Sequence, residues 1–117
     1  METCLTVGKA AEEADEDAAL VLSLAWYESR FVETAESSKG AVGPLQVIPG
    51  YWCPNRTRVD CDYVQAGLNA LRGYRDIYGD NLVEVLCHYN AGNKCGKRAY
   101  NYARKVLRRR SRLKSFQ

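Results

Sequence analysis

Apolar residues recur at three- and four-residue steps through most of the chain, and the spacing predicts four helices. The first runs from about Asp15 to Ser29, where Ala18, Val21, Leu24 and Ala25 form one stripe that must bury. Asp15, Glu16 and Asp17 complement the dipole of its first turn, and Phe31 and Val32 close it off. A second helix starts near Asp62, carries Val64, Leu68, Leu71 and Tyr78 on one face, and ends at Gly79 as C-cap. Asp80 or Asn81 caps a third, with Leu82, Val85, Leu86 and Tyr89 inward, which stops at Asn90-Ala91-Gly92. The last begins near Lys97 and buries Ala99, Ala103, Val106 and Leu107. Residues before Asp15 are small, polar and acidic, and are expected to be mobile or loosely helical, with Cys4 and Leu5 able to dock. Ser37 to Gly50, with its serines, glycines, Pro44 and Pro49, reads as a loop, and Tyr51 to Thr57 continues it.

Composition narrows this to one soluble domain. The 117 residues are 46% apolar and 26% charged, enough for one core, and no apolar run approaches the roughly eighteen residues of a membrane span. The net charge of +3 hides an asymmetry: acids crowd Glu12 to Asp17, and none follows Glu84, while Lys and Arg accumulate through Arg108 to Lys114. A basic end attracts polyanions, among them nucleic acid, anionic lipid and the carboxylate-bearing cell wall, or is simply a solvated helix end.

Five cysteines are many for a reducing compartment. Cys53 and Cys61 have seven residues between them, as do Cys87 and Cys95, which suggests two local disulfides with Cys4 left over. Reduced core thiols are the alternative; metal binding is the weaker one, since there is no Cys-x-x-Cys and only one histidine, His88. Disulfides point to the bacterial envelope or beyond it. Met1, however, is followed by polar residues with no basic and apolar leader. The expectation is therefore a removed signal peptide or another route out of the cytoplasm, such as a phage particle or a holin-type exit.

The candidate chemistry centres on Glu28, four residues after Leu24 and seven after Val21, hence on the same stripe. Burial among apolar side chains and the negative end of the helix dipole both disfavour its charged form. A carboxyl that keeps its proton near neutral pH is a general acid. The plain alternative is a helix-end residue reaching water or pairing with Arg30.

The residues downstream of Glu28 change the balance. Glu28-Ser29 is succeeded by Ser37, then Gly40-Ala41-Val42-Gly43-Pro44-Leu45-Gln46, Ile48-Pro49, and finally His88-Tyr89-Asn90-Ala91-Gly92. This order and spacing resembles the catalytic domain of the soluble lytic transglycosylases, the lysozyme-like enzymes of glycoside hydrolase family 23. Pro44-Leu45 stands where the family has Leu-Met, and His88 where it has alanine. The resemblance covers about Asp15 to Leu107. It divides the chain into an N-terminal segment 1–14, a lytic transglycosylase domain 15–107 and a basic tail 108–117.

The resemblance implies a mainly α, lysozyme-like single domain (goose-type or soluble lytic transglycosylase) with helices around a substrate cleft. It implies no metal or organic cofactor, glycan strands of peptidoglycan as partner, and a monomer. A secretion, conjugation or phage-particle partner is compatible with it, and specific nucleic-acid binding is not expected. Glu28 is implied as the acid and then the base. Ser37, Gln46, Tyr89 and Asn90 are implied as substrate-binding or supporting residues, with Tyr89 holding the glutamate through its hydroxyl, and Tyr100 as a further residue lining the cleft. Periodicity alone makes Tyr89 a core residue, turn chemistry alone makes Ser37 a turn residue, and His88 is expected to be structural.

Other features support three competing readings. The resemblance implies water-free cleavage of the bond between N-acetylmuramic acid and N-acetylglucosamine to a 1,6-anhydro end; a goose-type lysozyme would hydrolyse that bond with downstream acids, but Ser37 to Val59 contains no Asp or Glu, and only Asp60 and Asp62 could fold back. A wall-binding module without catalysis would act through the basic tail. Nucleic-acid binding through Arg104 to Lys114 would show steeply salt-dependent affinity and no wall cleavage.

Overall fold

The structure, a computed structural model, describes residues 2–116. Its α-helices are α1 (Glu2–Glu13), α2 (Ala18–Ser29), a short α3 (Pro49–Trp52), α4 (Tyr63–Tyr78), α5 (Leu82–Ala91) and α6 (Lys97–Lys114), with a 3-10 turn at Pro54–Arg56. Among the described residues extended backbone pairs only at isolated bridges in the loop, Glu36 with Val42 and Val42 with Val47. The mainly helical expectation therefore holds.

α2 runs through the centre. Leu20, Val21, Leu24 and Ala25 join Val7 and Ala11 of α1, Leu68 and Leu71 of α4, Val85 and Leu86 of α5, and Ala103 and Val106 of α6 in one buried cluster. Ala19, Ser23 and Ser29 are buried too, so α2 is enclosed on nearly all sides and not along one stripe. Close approach on every side suits its small residues, and the buried Ser23 hydroxyl donates to the Ala19 carbonyl at 2.7 Å.

The start of the chain departs from the sequence expectation. Residues 2–13 form a full helix whose Val7 and Ala11 are completely buried, while Leu5 is exposed and Cys4 is a free, half-buried thiol. Met1 lies outside the described residues. The chain then turns at Asp15, which takes a positive φ of 58°, so α2 begins at Ala18 and not at Asp15. Asp17 is its N-cap and accepts from the Leu20 amide at 3.2 Å. Glu16 does not serve the helix dipole. It is buried and paired with Arg75 and with Arg72, the latter at 3.4 Å, which ties the α1–α2 turn to α4.

The later helices follow the pattern more closely. Asp62 caps α4 through the Gln65 amide, and Gly79 ends it. Asn81, not Asp80, caps α5, and Gly92 ends it. α6 buries Ala99, Ala103 and Val106, with Leu107 only half-buried. The basic end is a continuation of α6 to Lys114, and Arg110 and Lys114 reach the Asp17 carboxylate at 2.7 and 3.3 Å. Gln117 lies outside the described residues. Cys53–Cys61 and Cys87–Cys95 are disulfide-bonded. No described helix is long and apolar enough to cross a membrane.

Candidate active site

Glu28 sits one residue from the end of α2, where Arg30 leaves the helix in the left-handed conformation. Arg30 does not pair with it. The guanidinium stacks on Trp26 at 4.4 Å, and Arg109 covers the same ring at 4.5 Å. Glu28 instead accepts a 2.6 Å hydrogen bond at Oε2 from the hydroxyl of Tyr102 on α6. No Lys, Arg or His lies within ion-pair distance of it among the described residues. Burial pushes its carboxyl from the ordinary 4.5 up to about 7, against the opposing pull of the Tyr102 hydrogen bond. Burial and then the Glu28 charge hold the Tyr102 and Tyr89 hydroxyls well above the usual phenol range. Both therefore stay protonated and able to donate.

The loop after α2 is fastened to this end of the helix by its backbone. The buried Ser29 hydroxyl donates to the Pro44 carbonyl at 2.8 Å, and the Tyr89 hydroxyl donates to the next carbonyl, Leu45, at 2.7 Å. Leu45 is itself buried against Gly67 of α4, where an added Cβ would lie 2.6 Å from the leucine side chain. Within the loop, the Ser37 hydroxyl oxygen accepts from the Ala41 and Lys39 amides at 3.0 and 3.3 Å. Val42 and Val47 exchange backbone hydrogen bonds at 2.8 and 3.0 Å. Gln46, at a positive φ of 52°, donates from Nε2 to the Ala35 and Gly43 carbonyls at 3.0 and 2.9 Å.

A cleft of about 620 Å³ opens beside Tyr102, lined by Tyr27, Asn90, Lys97, Arg98, Asn101, Tyr102 and Lys105. Exposed Asn90 stands at its edge. The transglycosylase SLT domain family matches residues 6–111. The chain belongs to this family. No curated protein and no solved structure matches it. As an SLT domain it is a mainly α, lysozyme-like single domain whose family acts on peptidoglycan.

The structure distributes the sequence candidates of this SLT domain unevenly. Glu28 and Tyr89 lie close enough for the carboxylate charge to act on the phenol, and Asn90 lines the cleft, whereas the Ser37 hydroxyl oxygen and Gln46 Nε2 are engaged in building the loop. Tyr89 holds the loop carbonyl at Leu45 and not the glutamate. Tyr100 does not line the cleft: its hydroxyl donates to Glu84 Oε1 at 2.7 Å. Tyr102 takes the place given to Tyr100, and the signal for it was present. It lies three residues after Ala99 and four before Val106, on the buried stripe of α6.

The two family departures have physical accounts. At Pro44-Leu45 the fastening runs through main-chain carbonyls, which any side chain supplies. His88 has structural partners: Nδ1 lies 2.6 Å from the Gly92 carbonyl, Nε2 lies 3.4 Å from Glu84 Oε2, and the ring stacks on Tyr78 at 4.5 Å. Glu84, His88 and Cys95 place ligand-type atoms within 4.8 Å of one another, but Cys95 is bonded to Cys87 and offers no thiolate. Asp60 and Asp62 line a different hollow, with Tyr51, Trp52 and Asn69, and Asp62 is occupied as a helix cap.

Proposed function

We propose that this SLT domain cleaves the β-1,4 bond between N-acetylmuramic acid and N-acetylglucosamine in peptidoglycan without consuming water, leaving 1,6-anhydromuramic ends. The reading rests on one observation: a half-buried glutamate that keeps its proton to about pH 7, with burial and Tyr102 as the influences that set this and no second carboxylate among them. Most glycosidases need two carboxylates, the second to act as nucleophile or to activate water. One carboxyl suffices when the attacking group belongs to the substrate.

In this mechanism Glu28 gives its proton to the glycosidic oxygen, and the substrate's own acetamido oxygen stabilises the cation forming at C1. The resulting carboxylate then takes the proton of the muramic acid 6-hydroxyl as that oxygen bonds to C1 of the same sugar. An attacking group on the same ring has a very high effective concentration. Tyr102 aims the carboxyl and steadies its charged form between the two transfers. Asn90 offers an amide to an acetamido group at the cleft edge. Ser29 and Tyr89 fix the loop wall, which Ser37 and Gln46 build.

Work on peptidoglycan places the domain outside the cytoplasm or on a phage particle, where its two disulfides are stable. The glycan strand is its partner, it acts as a monomer, and it uses no metal or organic cofactor. The test is mass spectrometry of muropeptides released from purified peptidoglycan by the native protein and by Glu28→Gln. Anhydromuramic products that vanish in the variant are expected. Reducing-end products, heavier by one water, would make the domain a goose-type hydrolase, and strand binding without release would make it a wall-binding module.

A further inference from the structure

His88 adjoins Tyr89 and Asn90 yet takes no part in the cleavage, and its ring is held so that one nitrogen is left over. The imidazole stacks on Tyr78, and Nδ1 lies 2.6 Å from the Gly92 carbonyl. A carbonyl only accepts, so Nδ1 carries the hydrogen, and in the neutral ring the lone pair is on Nε2. That atom faces Glu84, one turn earlier on α5, at 3.4 Å from Oε2. The other carboxylate oxygen, Oε1, takes the Tyr100 hydroxyl at 2.7 Å. Both side chains therefore have an outer partner that orients them and one atom still to be used, which is how outer groups prepare metal ligands.

Cys95 brings a third ligand type to the same place. Its sulfur and a ligand atom from each of Glu84 and His88 all lie within 4.8 Å of one another. The ligands of a tetrahedral zinc ion stand about 3.5 Å apart, so inward movements of about 1 Å would complete three corners of the shell. In the oxidised protein the sulfur is bonded to Cys87 and cannot ligate. In the reduced chain it is a thiol that metal binding deprotonates. Glu84, His88 and Cys95 are all half-buried, and Cys95 lies in the turn between α5 and α6, so an ion can enter from solvent.

We infer that the chain with Cys87 and Cys95 reduced binds one zinc-type divalent ion through Glu84, His88 and Cys95, and that closing the disulfide expels it. Thiolate, imidazole and carboxylate together suit zinc or cobalt rather than magnesium or calcium, and water takes the fourth position. Closure uses a disulfide oxidant. The sulfurs of the Cys87 thiol and of the metal-bound Cys95 thiolate join and give up two electrons, which split the oxidant's own sulfur–sulfur bond. The two thiols it becomes take one proton from Cys87 and one from solvent, and the metal–sulfur bond breaks. The site is independent of the cleavage chemistry, since in the oxidised domain Cys87 closes it.

The test uses Cys87→Ser, which leaves Cys95 a permanent thiol while Cys53–Cys61 stays bridged. The probe is cobalt(II), whose bond to a thiolate gives a charge-transfer absorption. The oxidised native protein should show no such band, and Cys87→Ser should bind one cobalt ion with it. Adding His88→Ala or Cys95→Ser to Cys87→Ser should weaken binding by more than about 100-fold, and adding Tyr100→Phe, which removes an outer partner alone, by about 10-fold. Cys4 is present in every variant and gives no difference between them. Zinc should displace the cobalt and raise the melting temperature of Cys87→Ser. Oxidised glutathione added to the reduced, zinc-loaded native protein should release one zinc ion for each Cys87–Cys95 bridge formed. If Cys87→Ser is unfolded by circular dichroism, the native protein reduced with a phosphine, with and without His88→Ala, gives the same reading. A folded protein of either kind that takes up no cobalt, or a thiolate band that survives His88→Ala, would overturn the site, and zinc retained after the bridge has closed would overturn the exchange.

Discussion

The hydroxyl of Tyr102 donates to Oε2 of Glu28 across 2.6 Å, joining residues 74 apart in the chain. The bond favours the carboxylate and so opposes the burial that drives Glu28 towards neutrality. Removing it in Tyr102→Phe should raise the Glu28 pKa further above about 7. In the proposed mechanism Glu28 starts protonated, so the alkaline fall in kcat/KM should move to higher pH. The rate itself should drop about 10- to 100-fold, from losing a hydrogen bond to a charged group. Tyr100→Phe, whose hydroxyl serves Glu84, should shift neither. A pH–rate profile of the two variants on purified peptidoglycan checks this.

The same carboxyl ties stability to pH. Its pKa rises from 4.5 to about 7 on folding, so between those values the folded state binds more protons than the unfolded one, and stability falls as pH rises through the window. Above it the cost is constant, at most about 3 kcal/mol for a shift of this size. Glu28→Gln keeps an acceptor for Tyr102 and cannot ionise. It should therefore be more stable than the native protein by up to that amount at pH 8, with the difference vanishing below pH 4.5. Urea unfolding at the two pH values measures it, and an equal difference at both would contradict a carboxyl strained by burial.

Two glycines of the loop separate backbone strain from close approach. Gly40 and Gly43 have φ of 85° and 81°, but a Cβ on Gly40 meets open space, whereas one on Gly43 would lie 2.7 Å from the Tyr63 Cβ. Gly40→Ala should cost about 1 to 2 kcal/mol, the penalty of a left-handed non-glycine residue. Gly43→Ala should add about 1 to 3 kcal/mol of overpacking, and because Pro44 and Leu45 come directly after it, it should also lower activity. Denaturation midpoints with turnover for each variant distinguish the two terms.

Local information was readable in the sequence wherever one element decides it. The spacing along α4, α5 and α6, the caps at Asp62 and Asn81, the stops at Gly79 and Gly92, and the Cys53–Cys61 and Cys87–Cys95 pairs depend on residues within a few turns of one another. Glu28 was legible for the same reason, as a carboxyl on an apolar helix ahead of a glycine-bearing loop.

Decisions made between distant elements were not. The polar, acidic residues 2–13 have little apolar surface of their own, and they are helical in a place where Val7 and Ala11 find the α2 core. Glu16 looked like a dipole residue until Arg72 and Arg75, on α4, enclosed it. Tyr100 and Tyr102 are two residues apart, hence about 200° apart around α6, and only the packing of α6 on α2 determines which of them meets Glu28. The sequence by itself determined α4 to α6 with their ends, the pairing of Cys53 with Cys61 and of Cys87 with Cys95, and the place of the Glu28 carboxylic acid on its helix. The tertiary structure decided the partners of that acid, because its pKa, its hydrogen bond and the loop beside it arise where four separate segments exclude water from one carboxyl.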